Sequence, residues 1–147
     1  MIKIAHRGNL DGKNPERENE PSYIKEALDQ GYHCEVDVWF IDGEFRLGHD
    51  KPKYEFPFGL IEKYSSKLWL HAKNIATFSK LYDMDSSGMY LNYFFHSSED
   101  LILTSKNYIW AFPGKQPIER SIAVMPEYNN DDISSAIGVC SDFIKNY

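Results

Sequence analysis

The sequence has no apolar run approaching the roughly 20 residues of a membrane-spanning helix, and its opening stretch, MIKIAHRG, carries no hydrophobic leader region. Basic residues are in deficit: 16 Lys and Arg against 22 Asp and Glu give a net charge of -6. That balance argues against non-specific nucleic-acid binding, which needs a basic surface. It leaves metal chemistry open, because metal sites are built from acids. Cysteine is scarce, and Cys34 and Cys140 both lie in apolar, strand-like runs. They read as two buried free thiols in a reducing cytoplasm. Linkers, low-complexity tracts and internal repeats are lacking. What is present is ordinary for a globular domain: 42% apolar and 26% charged residues in a chain of 147. Residues 1–147 read as a single domain, able to bury about two thirds of its unfolded surface.

Turn residues and hydrophobic period divide the chain. The first apolar run ends in His6-Arg7-Gly8, and residues 9–20, polar with Gly12 and Pro15, read as a loop. A helix is expected over 21–30: Pro21 suits the first turn, Tyr23, Ile24, Ala27 and Leu28 form an apolar stripe, and Gly31 terminates it. Residues 33–40 read as a strand, Asp42-Gly43 as a hairpin turn, and 45–48 as the returning strand. Residues 51–66 read as a loop with one helical turn, 68–72 as a strand and 77–84 as a short helix. Apolar runs at 89–95, 108–112, 121–125 and 137–140 are each followed by a polar or turn residue. Strands alternating with helices imply βα units and a parallel sheet. A full eight-unit barrel typically takes ~250 residues. The expected fold is therefore a small or incomplete TIM-type (β/α) barrel, with helices reduced in the second half.

The stretch CEVDVWFIDGEFRLGHD, residues 34–50, carries the chemistry. Side chains alternate along a strand, so Glu35 and Asp37 share one face while Cys34, Val36 and Val38 share the other. In a βα barrel the outer face packs on helices, and the inner face near the C-terminal strand ends forms the mouth. Two carboxylates converging there repel each other unless a proton or cation intervenes, and a hard divalent cation is a natural partner. In LWLHAKN, His71 and Lys73 share a face, His6-Arg7 closes the first strand, and the hairpin adds His49. This inventory suits phosphodiester cleavage. A metal on Glu35 and Asp37 polarises a phosphoryl oxygen, Arg7 and Lys73 neutralise the remaining charge, and His6 and His49 serve as general acid and base in an order left open. His71 and Glu127 of VMPEY are further candidate metal ligands. Trp110, Asn92, Tyr93 and Asp142 are candidate substrate contacts, His96 a candidate for the mouth, and His33 structural.

HRG, ENEPSYIKEALDQG and EVDVWFIDGEFRLGHD, taken together, resemble the glycerophosphodiester phosphodiesterase family of phospholipase-C-like barrels over residues 4–50. The resemblance implies that His6 and His49 are the catalytic histidines, Arg7 a phosphate-binding arginine, and Glu35 and Asp37 metal ligands. It matches Glu18 and Asn19 to a Glu-Asn pair, Ala27 and Gly31 to a helix end, and Lys73 to the lysine of the next strand. AIGVCSDF is similar to the family's last strand and places Asp142 at its end. The implied cofactor is Mg or Ca, and the implied substrate a small glycerol- or sugar-linked phosphodiester of lipid metabolism. The chain departs from the pattern at three positions: His71 stands where the family has Glu and sphingomyelinase D-type relatives have Asp, Arg17 replaces Pro, and Glu20 replaces Thr. An imidazole at position 71 opens the site to Mn or Zn. The alternative reading is a catalytically degenerate barrel that binds a phosphate ligand without turnover. No nucleic-acid partner is expected, and homo-oligomer formation is left open.

Overall fold

The computed structural model describes residues 1–147. Ten strands and three helices follow one another as β1 (Ile2–His6), α1 (Pro21–Asp29), β2 (His33–Ile41), β3 (Glu44–Leu47), β4 (Tyr54–Glu55), α2 (Phe58–Tyr64), β5 (Leu68–Ala72), α3 (Ile75–Ser86), β6 (Asn92–Phe95), β7 (Leu101–Leu103), β8 (Ile109–Ala111), β9 (Ser121–Val124) and β10 (Gly138–Ser141). Helix α1 starts at Pro21, whose missing N–H is no loss in a first turn. It buries Ile24, Ala27 and Leu28 and exits through Gly31 at φ 98°. Asn74 caps α3 by accepting from the Thr77 backbone N–H. All three helices precede residue 87, in line with the expected loss of helices in the second half.

The sheet is curled and mixed. Parallel pairing runs β6–β5–β2–β1–β10–β9–β8, while the β3–β4 arm on β2 and β7 on β8 are antiparallel. A wholly parallel wall is thus corrected: the Asp42-Gly43 turn folds β3 back onto the far end of β2, where β1 no longer runs beside it. No ladder joins β6 to β8. The chain at Ser105 bridges that side, its N–H donating to the Tyr93 carbonyl at 2.8 Å and its Oγ accepting from the Tyr93 N–H at 3.0 Å. The result is an incomplete barrel. Residues 51–66 hold more structure than the expected single turn, with strand β4 and helix α2, and β7 is an element the sequence reading did not separate.

Strand alternation divides the core in two. Ile4, Trp69, Phe94, Trp110, Ile122, Val124 and Cys140 fill the inside of the curl. Val36, Val38, Leu68 and Leu70 belong to the outer layer with Ile24, Leu28 and Leu81 of the helices. Each such side chain contributes roughly 1.5–3 kcal/mol when fully buried. The inner aromatics plug the lower part of the curl, Phe94 against Trp110 with centroids 4.8 Å apart and Trp69 against Trp110 at 5.6 Å. Inward positions above that plug are polar. Cys34 and Cys140 are free and buried, and burial holds both thiols well above their ordinary pKa. No helix is long and apolar enough to cross a membrane.

Candidate active site

Sheet register brings the singled-out residues together. His6 is paired with Glu35 across β1–β2, and Asp37 with His71 across β2–β5. Asp142 follows Ser141, which pairs with Ala5. One mouth therefore receives side chains from β1, β2, β5 and the end of β10.

Asp37 is the hub. It is fully buried, and five groups converge on its carboxylate: Arg7 Nε at 2.9 Å, Asn19 Nδ2 at 2.9 Å, His49 Nδ1 at 3.3 Å, His71 Nδ1 at 3.1 Å and Lys73 Nζ at 3.4 Å. Burial alone pushes this carboxyl up, but the histidine rings and the Arg7 guanidinium outweigh it and hold its pKa well below the usual range. Arg7 reaches it because its backbone is left-handed, φ 54°, which turns the chain sharply after β1. Asn19, also left-handed at φ 64°, ties its loop to β2 twice, since its Oδ1 accepts from the Asp37 N–H at 2.9 Å. Glu18 accepts from Arg7 Nη1 at 3.1 Å and from Asn9 Nδ2 at 3.1 Å.

The two histidines are held differently. His6 Nδ1 lies 2.8 Å from Asp142 Oδ1, and Asn9 Nδ2 donates to the same oxygen at 2.7 Å. Burial pushes Asp142 up, yet the His6 and Asn9 hydrogen bonds bring its pKa below the ordinary value. A carboxylate only accepts, so the His6 proton sits on Nδ1 and the Nε2 lone pair faces the mouth, 3.9 Å from Glu35 Oε2. His49, on the loop after β3, has Arg7 Nη2 at 2.6 Å from its Nδ1. The two contacts of Nδ1 call for opposite tautomers: Arg7 Nη2 can only donate to it, and Asp37 Oδ2 at 3.3 Å can only accept from it.

Glu35, Asp37 and His71 form a group able to hold a metal ion, with one ligand atom from each lying within 4.8 Å of the others. Glu35 Oε2 and His71 Nε2 are buried at this place with no hydrogen-bond partner. Orphaned buried polar atoms are uncommon in folded proteins, and two oxygens with an imidazole nitrogen are a donor set that divalent metals accept. The residues therefore fit a cation. Without one, burial works to lower the His71 pKa, but Asp37 and Glu35 prevail and raise it, so the ring carries positive charge between the two acids more readily.

Two cavities open on this cluster. An inner one of about 320 Å³ is lined by His6, Glu35, His71, Lys73, His96 and Trp110 among others. An outer one of about 620 Å³ shares His6, Arg7 and His49 with it. Trp110 and His96 line the inner cavity, whereas other expected residues lie elsewhere. Glu127 is outside the metal group: Met125 is left-handed at φ 46°, and Glu127 accepts from Ser141 Oγ at 2.7 Å and Tyr147 Oη at 3.1 Å. Trp110 is 2% exposed and packs on Trp69 and Phe94, so it serves as cavity floor. Tyr93 belongs to the outer core layer, against Phe78, and Asn92 lines neither cavity. His96 stacks on Phe112 at 3.9 Å, with Nε2 on the Glu99 carbonyl at 2.9 Å. Asn9, which joins Glu18 to Asp142, was not foreseen; its only sequence signal is its place directly after His6-Arg7-Gly8. No family model, curated protein or solved structure matches the chain.

Proposed function

We propose that this protein is a metal-dependent phosphodiesterase that cleaves a small glycerol- or sugar-linked phosphodiester. The observation that carries the reading is the convergence on one mouth of His6, His49, Arg7, Lys73 and the Glu35/Asp37/His71 group. A TIM-type assignment of the curl goes with it, since such barrels place their sites at the C-terminal strand ends. Glu35, Asp37 and His71 would hold the divalent cation, which when bound supplies Lewis-acid polarisation of a phosphoryl oxygen. His71 leans the site toward Mn or Zn, where the resemblance alone points to Mg or Ca.

Arg7 and Lys73 bind and neutralise the phosphate oxygens, Arg7 with its planar fork and Lys73 as a point charge. His6 Nε2 removes the proton from the attacking nucleophile, a water or a vicinal hydroxyl of the substrate, and Asp142 stabilises the imidazolium that forms while fixing the ring. His49 delivers a proton to the leaving alcohol from Nε2, its ring positioned by Arg7 and Asp37 at Nδ1. A second reading, phosphate binding without turnover, draws on one observation: Arg7 and Lys73 already lie against Asp37 and offset its charge. Hydrolysis of bis(p-nitrophenyl) phosphate and a glycerophosphodiester panel, with and without Mg, Ca, Mn and Zn, tests both. Metal-stimulated release of product supports the phosphodiesterase. Phosphate binding with no turnover under any metal would leave the second reading.

A further inference from the structure

The outer cavity has a charge that the chain as a whole does not. Against a net -6, its rim carries Lys13, Lys51 and Lys53, none of which forms an ion pair. The acids lining it are mostly spent: Glu18 is paired with Arg7, and Asp142 with His6. Asp50, 94% exposed by its side chain, lies 3.7 Å from His49 Nε2. Glu16 and Glu20 act on Lys53 through space without reaching it.

The lysines are carried on fixed backbone. Gly48, at φ 149°, folds the loop after β3 so closely that a Cβ there would meet the Lys51 carbonyl at 2.1 Å. The Lys53 N–H closes the same turn on the Leu47 carbonyl at 2.8 Å. On the other loop, Gly12 N–H donates to the Asp142 carbonyl at 2.8 Å, and Asn14 N–H to Asn9 Oδ1 at 3.1 Å, so Lys13 is held from both sides. Three lysines without a carboxylate partner thus stand on two pinned loops beside Arg7 and His49, Lys53 with its ammonium 4.7 Å from the centre of the Tyr54 ring. Nothing in the proposed cleavage uses them, because Arg7 and Lys73 already serve the scissile phosphate.

We infer that the substrate carries a second anionic group, a phosphate monoester or carboxylate, on the part of the molecule that fills the outer cavity, and that Lys13, Lys51 and Lys53 select it. This deepens the phosphodiesterase reading and rests on it for the identity of the reacting group. The volume, about 620 Å³, suits a small molecule rather than a polymer. The shared chemistry is a polyanionic diester, from either a soluble metabolite or a lysolipid headgroup.

The test is calorimetric binding in EDTA, which does not depend on turnover. Glycerophosphoinositol 4-phosphate should bind about tenfold or more tightly than glycerophosphoinositol, a difference of one decade in Kd. The preference should shrink as salt shortens the ~10 Å Debye length of 0.1 M solution. It should also collapse to about unity in the triple variant Lys13→Glu, Lys51→Glu, Lys53→Glu, whose fold is checked by circular dichroism; Lys13→Gln, Lys51→Gln, Lys53→Gln gives the same readout with less perturbation. Lysophosphatidylinositol 4-phosphate separates the sources: a further gain marks a lipid headgroup, and an equal affinity a soluble ligand. Equal binding of the two soluble ligands to wild type, no binding of either, or a preference retained in both triple variants overturns the inference. Failure of the hydrolysis panel bears only on the phosphodiesterase reading, and an absent preference only on the second anion.

Discussion

Replacing Glu35 with Gln should stabilise the metal-free protein and abolish the stabilisation that metal brings. Glu35 is 2% exposed, and its Oε2 has no hydrogen-bond partner. Its nearest basic atoms are His71 Nδ1, 3.6 Å from Oε1, and His6 Nε2, 3.9 Å from Oε2, both beyond good hydrogen-bond length. A buried polar atom left without a partner costs ~1–3 kcal/mol, and more when it is charged. Gln keeps the volume and removes the charge. The opposing effect is on His71, whose pKa is raised by two carboxylates and would keep only one. Allowing for that loss, the net gain is about 1–2 kcal/mol, or roughly 2–6 °C in Tm for a chain of this size. Metal acts in the other direction. At a free concentration of 100 times its Kd, a cation that binds only the folded state adds about 2.7 kcal/mol, and the variant, lacking one ligand, should show almost none of it. Thermal unfolding followed by circular dichroism, in EDTA and across a Mn series, reads both effects. A variant less stable than wild type in EDTA by more than ~1 kcal/mol would refute the account of Glu35 as an uncompensated acid. An unchanged metal-induced shift would refute its role as a ligand.

Three further outcomes are expected. His6→Ala and His49→Ala should each lower turnover by about 10²–10⁴-fold, and each should remove one limb of a bell-shaped pH–rate profile; near-normal rates in both would end the acid-base assignment. His71→Glu should shift the metal-activation series from Mn and Zn back toward Mg and Ca, whereas an unchanged order of metals sinks His71 as a ligand. Asp142 has a lowered pKa in the folded protein, so its contribution is present above the usual carboxylate range near pH 4 and is lost as pH falls through the lowered value. Asp142→Asn should therefore lose ~1–3 kcal/mol at pH 7, a deficit that shrinks progressively as pH falls below the usual carboxylate range, measured as urea midpoints; a deficit that does not change with pH contradicts it.

Much of the site was legible because strands impose a period of two. Glu35 and Asp37 had to share a face, as did His71 and Lys73, and the apolar partners between them had to face the helices. Where the period was lost, so was the reading. Strand β7 is three apolar residues with Leu101 and Leu103 both exposed, and so short a run has no pattern to separate it from a loop. Glu127 follows a strand and was expected at the mouth, but the left-handed turn at Met125 depends on tertiary context that residue types do not encode. Asn9 and the second tie of Asn19 are loop contacts made across 133 and 18 residues, and loops carry no period at all. The mixed character of the sheet follows in part from a hairpin that the Asp42-Gly43 turn announced, with β3 returning along β2; the antiparallel β7 on β8 was not announced.

The pairing of β1 with β10 has a consequence for biosynthesis. His6 and its orienting acid are 136 residues apart. At a translation rate of ~5–20 residues per second, roughly 7–27 s separate the emergence of one from that of the other. Throughout that interval β1 has one unpaired edge, and Ile4 and Trp69, which end inside the curl, have no far wall to cover them. Pairing at such sequence separation is also intrinsically slow. The nascent chain is thus a long-lived, sticky half-sheet whose His6–Asp142 pair forms only in the last step of folding, so chaperone supply during synthesis should govern its yield more than the stability of the finished protein does.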